Sequence, residues 1–107
     1  MNRFRPCPKT KALRDKKYLK WLAAQDPLIG GWGDTVYHHV RMLGNGGVSQ
    51  KPPDNDCIPI ADSVHRDIHN CGEITILVET YELSLDEIRQ VCDGYYAKYL
   101  KERRRNG

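Results

Sequence analysis

The chain's 107 residues leave room for one modest hydrophobic core and not for two, so a single domain over residues 1–107 is expected. A hydrophobic share of 39% beside 29% charged residues excludes a disordered polar chain. No apolar run approaches the roughly 18–20 residues of a membrane span, and the basic stretch MNRFRPCPKTK leads into no hydrophobic segment of the kind a secretory signal needs, which points to the cytoplasm.

In chain order, TKALRDKKYLKWLAA (residues 10–24) predicts a helix, with Thr10 at the N-cap and Tyr18, Trp21 and Leu22 on one face. DPLIGGWGD breaks it with a proline and three glycines. TVYHHV (35–40), β-branched and aromatic, predicts a short strand. The glycines and paired prolines of MLGNGGVSQKPPDND then exclude regular structure. CIPIA (57–61) reads as a second strand, confined by Pro59 to an edge or an irregular pairing. Asp62 is expected to cap a helix that carries SVHRDIHN and ends near Cys71 and Gly72. EITILVETYEL has β-branched residues that suit a strand, yet Ile74, Leu77 and Val78 fit one helix face, and a helix is the expectation. Ser84 with Glu87 makes a capping box for a last helix, whose apolar side carries Ile88, Val91, Cys92, Tyr95 and Tyr99. Tyr95, Tyr96 and Tyr99 suit either a core or a dimer contact. The sum is an α+β domain: helix, strand, long loop, strand, short helix, and two further helices.

The net charge of +3 hides an asymmetry. Residues 1–20 carry Arg3, Arg5, Lys9, Lys11, Arg14, Lys16, Lys17 and Lys20 against a lone Asp15. Residues 98–105 add Lys98, Lys101, Arg103, Arg104 and Arg105 against Glu102. Such basic ends suit a phosphate backbone, and they equally suit solvated termini; charge alone does not choose. Cys7, Cys57, Cys71 and Cys92 have no CxxC spacing, and are expected to be reduced, buried, small apolar residues.

All four histidines fall in two tight pairs, His38-His39 on the first strand and His65-x-x-x-His69 on the helix after the second. The i, i+4 spacing puts His65 and His69 one turn apart on the same helix face, as two ligands of one ion require. Successive strand residues point to opposite faces, so one member of the His38-His39 pair can face that ion while the other handles a proton. Either pair alone is better explained by incidental surface histidines. The strand–loop–strand–helix order of the two together favours a metal site.

HH, then about 25 residues, then HxxxH on a ββα unit resembles the HNH or ββα-metal (His-Me finger) endonucleases, including the nuclease colicins. HHVRMLGNGGVSQKPPDNDCIPIADSVHRDIH is more closely similar to the small phage and prophage HNH proteins of the Ref and YbcO kind. The shared features are a G-x-G-G loop after the strand histidine, Lys51-x-x-Asp54, Pro59 before the helix, and the HxxxH pair. The resemblance covers residues 35–70 well and the flanks loosely. It implies a ββα-metal core at 35–70, a basic N-terminal arm and helix at 1–24, and C-terminal helices at 73–104. It also implies a metal-dependent endonuclease of phage or prophage DNA recombination or processing, in the cytoplasm of a bacterial host. His38, His65 and His69 match the metal ligands and His39 the general base that deprotonates the attacking water. Magnesium or manganese is the implied working metal, and zinc or nickel should bind three imidazoles more tightly. DNA is the implied partner, a recombinase filament a further one.

Arg41 and Lys51 suit phosphate neutralisation near the metal and equally suit loop surface. Arg3, Arg5, Lys9, Lys11, Lys101, Arg103 and Arg104 would grip phosphates away from the cut, with GNGGVSQKPPD as a rim over the site. Two departures stand out. The position of the family's central Asn falls near Asp56. Where many relatives hold a structural zinc, this chain has Pro27, Gly30, Ala61 and Val64, none of them a ligand, so no structural zinc is expected. The rival reading is a non-catalytic nucleic-acid-binding module that keeps a metal-stabilised ββα scaffold.

Overall fold

β1 (Thr35–His39) and β2 (Cys57–Ala61) pair antiparallel, with Thr35 opposite Ala61 and His39 opposite Cys57. They form the two-stranded sheet of a computed structural model that describes residues 13–44 and 51–106. Every residue of β2 is buried, which is why an apolar CIPIA suits it. Its far side is covered by an irregular segment: Leu28 N–H donates to the Pro59 carbonyl at 2.7 Å, and Ala61 N–H to the Ile29 carbonyl at 3.1 Å. Pro59 therefore turns its missing N–H toward a partner that makes only an isolated bridge, the irregular pairing its presence requires.

α1 (Lys16–Ala23) begins later than residue 10. Asp15, not Thr10, is the N-cap, its carboxylate accepting from Tyr18 N–H at 3.1 Å. Leu13 and Arg14 stay outside the helix because the 51–54 segment claims their hydrogen bonds. The Leu13 carbonyl accepts from Asp54 N–H, and the Arg14 guanidinium donates to the Pro52 and Lys51 carbonyls. Thr10, Cys7 and the basic residues Arg3, Arg5, Lys9 and Lys11 lie outside the described residues, as does the 45–50 part of the expected loop rim.

α2 (Asp62–Cys71) follows β2 without a loop, and this displaces the expected cap. Ala61, still extended, is the N-cap residue, and Asp62 is the first helical residue. Asp62 uses its N–H on the Asp34 carbonyl and its carboxylate on Arg66, an exposed i, i+4 pair at 3.0 Å. Gly72 ends the helix as expected. The next segment is helical but wider than an α-helix: a π-helix over Ile74–Thr80, with Tyr81 N–H reaching the Ile76 carbonyl. That change of period moves the buried face. Ile76 and Leu77 are inside and Val78 is half-buried, whereas Ile74 is 57% exposed.

α3 (Leu85–Asn106) opens on the expected capping box, with Ser84 N–H on Glu87 and Glu87 N–H on the Ser84 hydroxyl. Ile88 and Cys92 enter a core with Val40, Ile58, Ile60, Val64, Ile68 and Leu77. Ala61 and Val64 are part of that apolar core. A second cluster joins α1 to α3, with Tyr18, Leu22, Cys57 and Tyr99 buried and Trp21, Tyr95 and Tyr96 against them. Fully burying each such aliphatic or aromatic side chain contributes about 1.5–3 kcal/mol. Cys57 and Cys92 are buried as expected, whereas Cys71, at the solvent-facing end of α2, is exposed. No helix among the described residues is long and apolar enough to cross a membrane.

Candidate active site

The ββα unit brings both histidine pairs into one neighbourhood. His38, projecting from β1 toward α2, lies with its ring centroid 5.4 Å from that of His65. His65 in turn is 4.6 Å from His69, its neighbour one turn along α2. The three rings make a continuous edge-to-face chain. His39, the next residue, points the other way, toward the 51–54 segment and Tyr37.

Each strand histidine is held by its own carboxylate. His38 Nε2 meets Glu73 Oε2 at 2.5 Å. Glu73 also accepts the Arg41 N–H at 3.1 Å on Oε2 and the Met42 N–H at 2.7 Å on Oε1, so the second residue after α2 ties down the chain leaving β1. Burial works against ionisation of Glu73, but His38 and these two amides outweigh it and hold the carboxyl below its ordinary range. On the opposite face, His39 Nε2 meets Asp54 Oδ1 at 2.9 Å. Asp54 is 2% exposed; its Oδ2 accepts Asp15 N–H at 2.7 Å, and Arg14 stands 3.4 Å from Oδ1. Burial opposes its charge too, and is outweighed by His39, the Asp15 amide and Arg14, which lower its pKa.

An ionised carboxylate only accepts hydrogen bonds. His38 and His39 therefore both donate from Nε2, and when neutral both carry their lone pair on Nδ1. Burial lowers the pKa of His39, with Lys51 and Arg14 pushing the same way against Asp54, so its imidazole is neutral at physiological pH. His65 is lowered as well, first by burial and then by His38 and His69, against Asp62. Neutral imidazole is the form that ligates a metal or takes up a proton.

Among the described residues, no group of three or more His, Cys, Asp or Glu side chains is arranged to hold a metal. The donor set itself, three adjacent imidazoles with a carboxylate behind one of them, suits a borderline transition-metal ion such as zinc or nickel better than an oxygen-seeking one.

Asp56, near which the resemblance puts the family's central Asn, works through its backbone and its charge. Its carbonyl accepts Val40 N–H at 2.8 Å just beyond β1, and its buried carboxylate is paired with Arg89 of α3 at 2.7 Å. Arg41 is exposed, and with Met42, Gly72, Glu73, Ile74 and Thr75 it lines a surface cavity of about 360 Å³. Lys51 is exposed beside the Asp54 segment, and Lys101, Arg103 and Arg104 are exposed near the end of α3, remote in sequence from the histidines. Sequence reasoning missed Glu73 and gave Asp54 no role. The signal for Glu73 was its place, one residue past the glycine that ends the HxxxH helix. For Asp54 it was the Lys51-x-x-Asp54 spacing that forms part of the resemblance.

A model of the family described as Protein of unknown function (DUF968) matches residues 2–75. The chain belongs to this family. The DUF968 match takes in β1, β2 and α2, and with them all four histidines, Asp54 and Glu73; most of the π-helix and all of α3 lie beyond it. A protein of Geotalea uraniireducens (strain Rf4) named "Putative nickel-responsive regulator" is 31% identical over 75 residues, which make up 70% of this chain and 51% of that one. The chain thus spans about half the length of that relative. No solved structure matches.

Proposed function

We propose that this DUF968 chain is a metal-dependent endonuclease of the HNH (ββα-metal) type that hydrolyses DNA phosphodiester bonds. One observation carries the reading: two adjacent histidines leave β1 on opposite faces, each donating Nε2–H to a buried or half-buried carboxylate, and one of them is in ring contact with an i, i+4 histidine pair. Incidental surface histidines have no need of two separate carboxylate partners.

In this reading His38, His65 and His69 would hold a divalent cation, which would supply charge stabilisation to the phosphate undergoing hydrolysis. His39 acts as the general base. Asp54 fixes its Nε2–H, so Nδ1 takes the proton of a water whose oxygen attacks phosphorus. The phosphorus bond to the 3′ oxygen then breaks, and that oxygen takes a proton from solvent. Asp54 also keeps the imidazolium that forms next to a negative charge. Arg41 and Lys51 add positive charge around the site. Lys101, Arg103 and Arg104 contribute affinity through phosphates, without sequence readout.

The deciding experiment incubates the full chain with plasmid DNA and magnesium, manganese, zinc or nickel in turn. Nicking that EDTA stops and His39→Ala abolishes, with metal binding intact in the variant, supports the enzyme. Metal binding with no cleavage of single-stranded, duplex or branched DNA overturns it. That outcome would favour the second reading, a metal-dependent nucleic-acid-binding module, which the nickel-responsive name of the relative makes specific: DNA affinity would then rise with nickel.

A further inference from the structure

Among the described residues, Trp32 is the most exposed large apolar side chain, with 85% of its surface in water. The loop that carries it is nevertheless tied down. Trp32 N–H donates to the Ser63 hydroxyl at 2.8 Å, and Ser63 N–H donates to the Trp32 carbonyl at 3.0 Å. Glycine on either side permits this approach. A Cβ on Gly31 would stand 2.4 Å from Ser63 Oγ, on the atom that accepts the Trp32 N–H. Gly33 has a φ of 87°, and a Cβ there would stand 3.0 Å from the Asp62 Cβ. The backbone is thereby clamped to the first turn of α2 while the indole projects into solvent. Trp21, the chain's other tryptophan, is packed between α1 and α3 with its Nε1–H on Glu102 at 3.0 Å.

A protein or membrane surface is met by a contiguous apolar patch, on the order of several hundred Å². Trp32 has no such company: its chain neighbours are Gly30, Gly31, Gly33 and Asp34, and the exposed Ile74, Tyr81 and Leu85 belong to the π-helix and α3. What lies close is a cation. Arg66, one turn after Ser63, is exposed, and its contact with Asp62 uses Nη2, which leaves outer donors of the guanidinium for a phosphate. A lone aromatic face beside a positive charge suits one nucleotide of a single strand. The placement fits as well. Asp62, against which Gly33 rests, shares a helix face with His65 one turn on, about 5 Å along the axis. We infer that Trp32 is a stacking platform for one unpaired base, so that this site takes single-stranded or locally opened nucleic acid rather than intact duplex. The inference rests on the nucleic-acid binding of the preceding reading, and on neither its metal nor its chemistry. In a closed duplex every base is already stacked on its neighbours, and the indole has no face to meet.

The test is a fluorescence titration of the full chain, in EDTA, with oligothymidylate of about 16 nucleotides. Wild-type tryptophan emission should be quenched on binding. An abasic strand of the same length and charge should leave the emission unchanged. Trp32→Ala should weaken oligothymidylate binding by about 5–150-fold, the loss of one base stack, and leave affinity for blunt duplex as it was. The indole is almost wholly in water, so this variant keeps the wild-type thermal midpoint. Trp32→Phe keeps a ring and most of the affinity but loses the quenching, since Trp21 stays packed. Trp32→Ala binding oligothymidylate as tightly as wild type overturns the inference, as does quenching that persists in Trp32→Phe. An emission change with phosphatidylserine vesicles in place of the oligonucleotide also overturns it, and makes Trp32 a membrane contact. Base-dependent quenching in a protein that never cuts leaves the inference standing and removes only the nuclease. Oligonucleotide binding that ignores Trp32 removes the stacking alone, and no binding of any nucleic acid removes both.

Discussion

Replacing Asp54 by asparagine exchanges one carboxylate oxygen for an NH₂ group in a residue that is 2% exposed. The three polar contacts there respond differently. The remaining oxygen, now that of an amide, keeps the Asp15 N–H, 2.7 Å away in the wild type. The NH₂ group must then face His39 Nε2, and a donor facing a donor forces His39 to move its proton from Nε2 to Nδ1. The Arg14 contact, at 3.4 Å from a guanidinium that is 44% exposed, is screened by solvent and contributes little. The fold therefore loses about 1–2 kcal/mol, the margin between a charged and a neutral hydrogen-bond partner. That corresponds to a fall in thermal midpoint of roughly 4–16 °C for a domain of this size.

The chemical effect is far larger. With Nδ1 protonated, the nitrogen meant to receive the proton of water has no lone pair, and cleavage should fall by about 10²–10⁴, the range for a lost or mis-tautomerised base. The assays are plasmid nicking, the ¹⁵N shifts of His39, and urea unfolding. Asp54→Asn that folds, binds zinc like wild type and still nicks at the wild-type rate would refute the role given to Asp54. Acidity supplies an internal control. The Asp54 pKa is lowered in the folded chain, so its contribution is complete above the ordinary value of 3.8 and disappears as pH falls through the folded value. The unfolding free energies of wild type and variant should therefore diverge near neutral pH and converge in acid.

Three further outcomes follow from other parts of the molecule. Tyr99→Ala removes a ring centred 5.1 Å from Tyr18 and 5.5 Å from Trp21 in the cluster that joins α1 to α3, and should cost about 3–5 kcal/mol in urea unfolding; a loss under about 1 kcal/mol would show that α1 is held by something else. Gly72→Ala meets no neighbouring atom, yet its φ of 97° strains any L-residue by about 1–3 kcal/mol, so stability should fall by that amount in urea unfolding; an unchanged unfolding free energy would show that the turn after α2 relaxes without cost. Reversing Lys101, Arg103 and Arg104 to Glu should weaken DNA binding uniformly across sequences and flatten the slope of log affinity against log salt by up to about 3; an unchanged slope would mean the end of α3 contacts no phosphate.

Periodicity and turn chemistry located the elements well where local signals act alone. β2 runs from Cys57 to Ala61 as expected, and the Ser84–Glu87 box opens α3. The misses lie where a distant segment outcompeted a local preference. Thr10 was a plausible cap, but α1 starts at Lys16, because the Leu13 carbonyl and the Arg14 guanidinium are taken by residues 51–54, some 40 positions away. Asp62 lost its capping role because β2 feeds α2 directly and the Asp34 carbonyl takes its N–H. In the 74–80 segment, helix was the right class and the period was not, so Ile74 faces solvent and Ile76 the core. The imidazole pairs were legible because identity and spacing carry that signal. Their carboxylates were not, since an acid 15 or 35 residues from its histidine has no periodic mark.

The adjacency of His38 and His39 follows from the same geometry. A strand sends neighbouring side chains to opposite faces, so two imidazoles one residue apart can meet entirely different surroundings while their backbones stay fixed to each other. Here one faces α2 and Glu73, the other the Asp54 segment tied to α1. Both carboxylates are held below their ordinary range, so both histidines are steered to the same tautomer by independent parts of the fold. In the proposed reading His38 is a ligand and His39 a base, and these have opposite needs. The ligand must keep its lone pair on the cation, and the base must release its proton after each turnover. Separate carboxylates let those demands be met one at a time, because changing Glu73 acts on His38 and changing Asp54 acts on His39. Metal affinity and cleavage rate should then respond to different substitutions, Glu73→Gln moving the first and Asp54→Asn the second, and a variant set in which the two always move together would mean that the pair is one site rather than two.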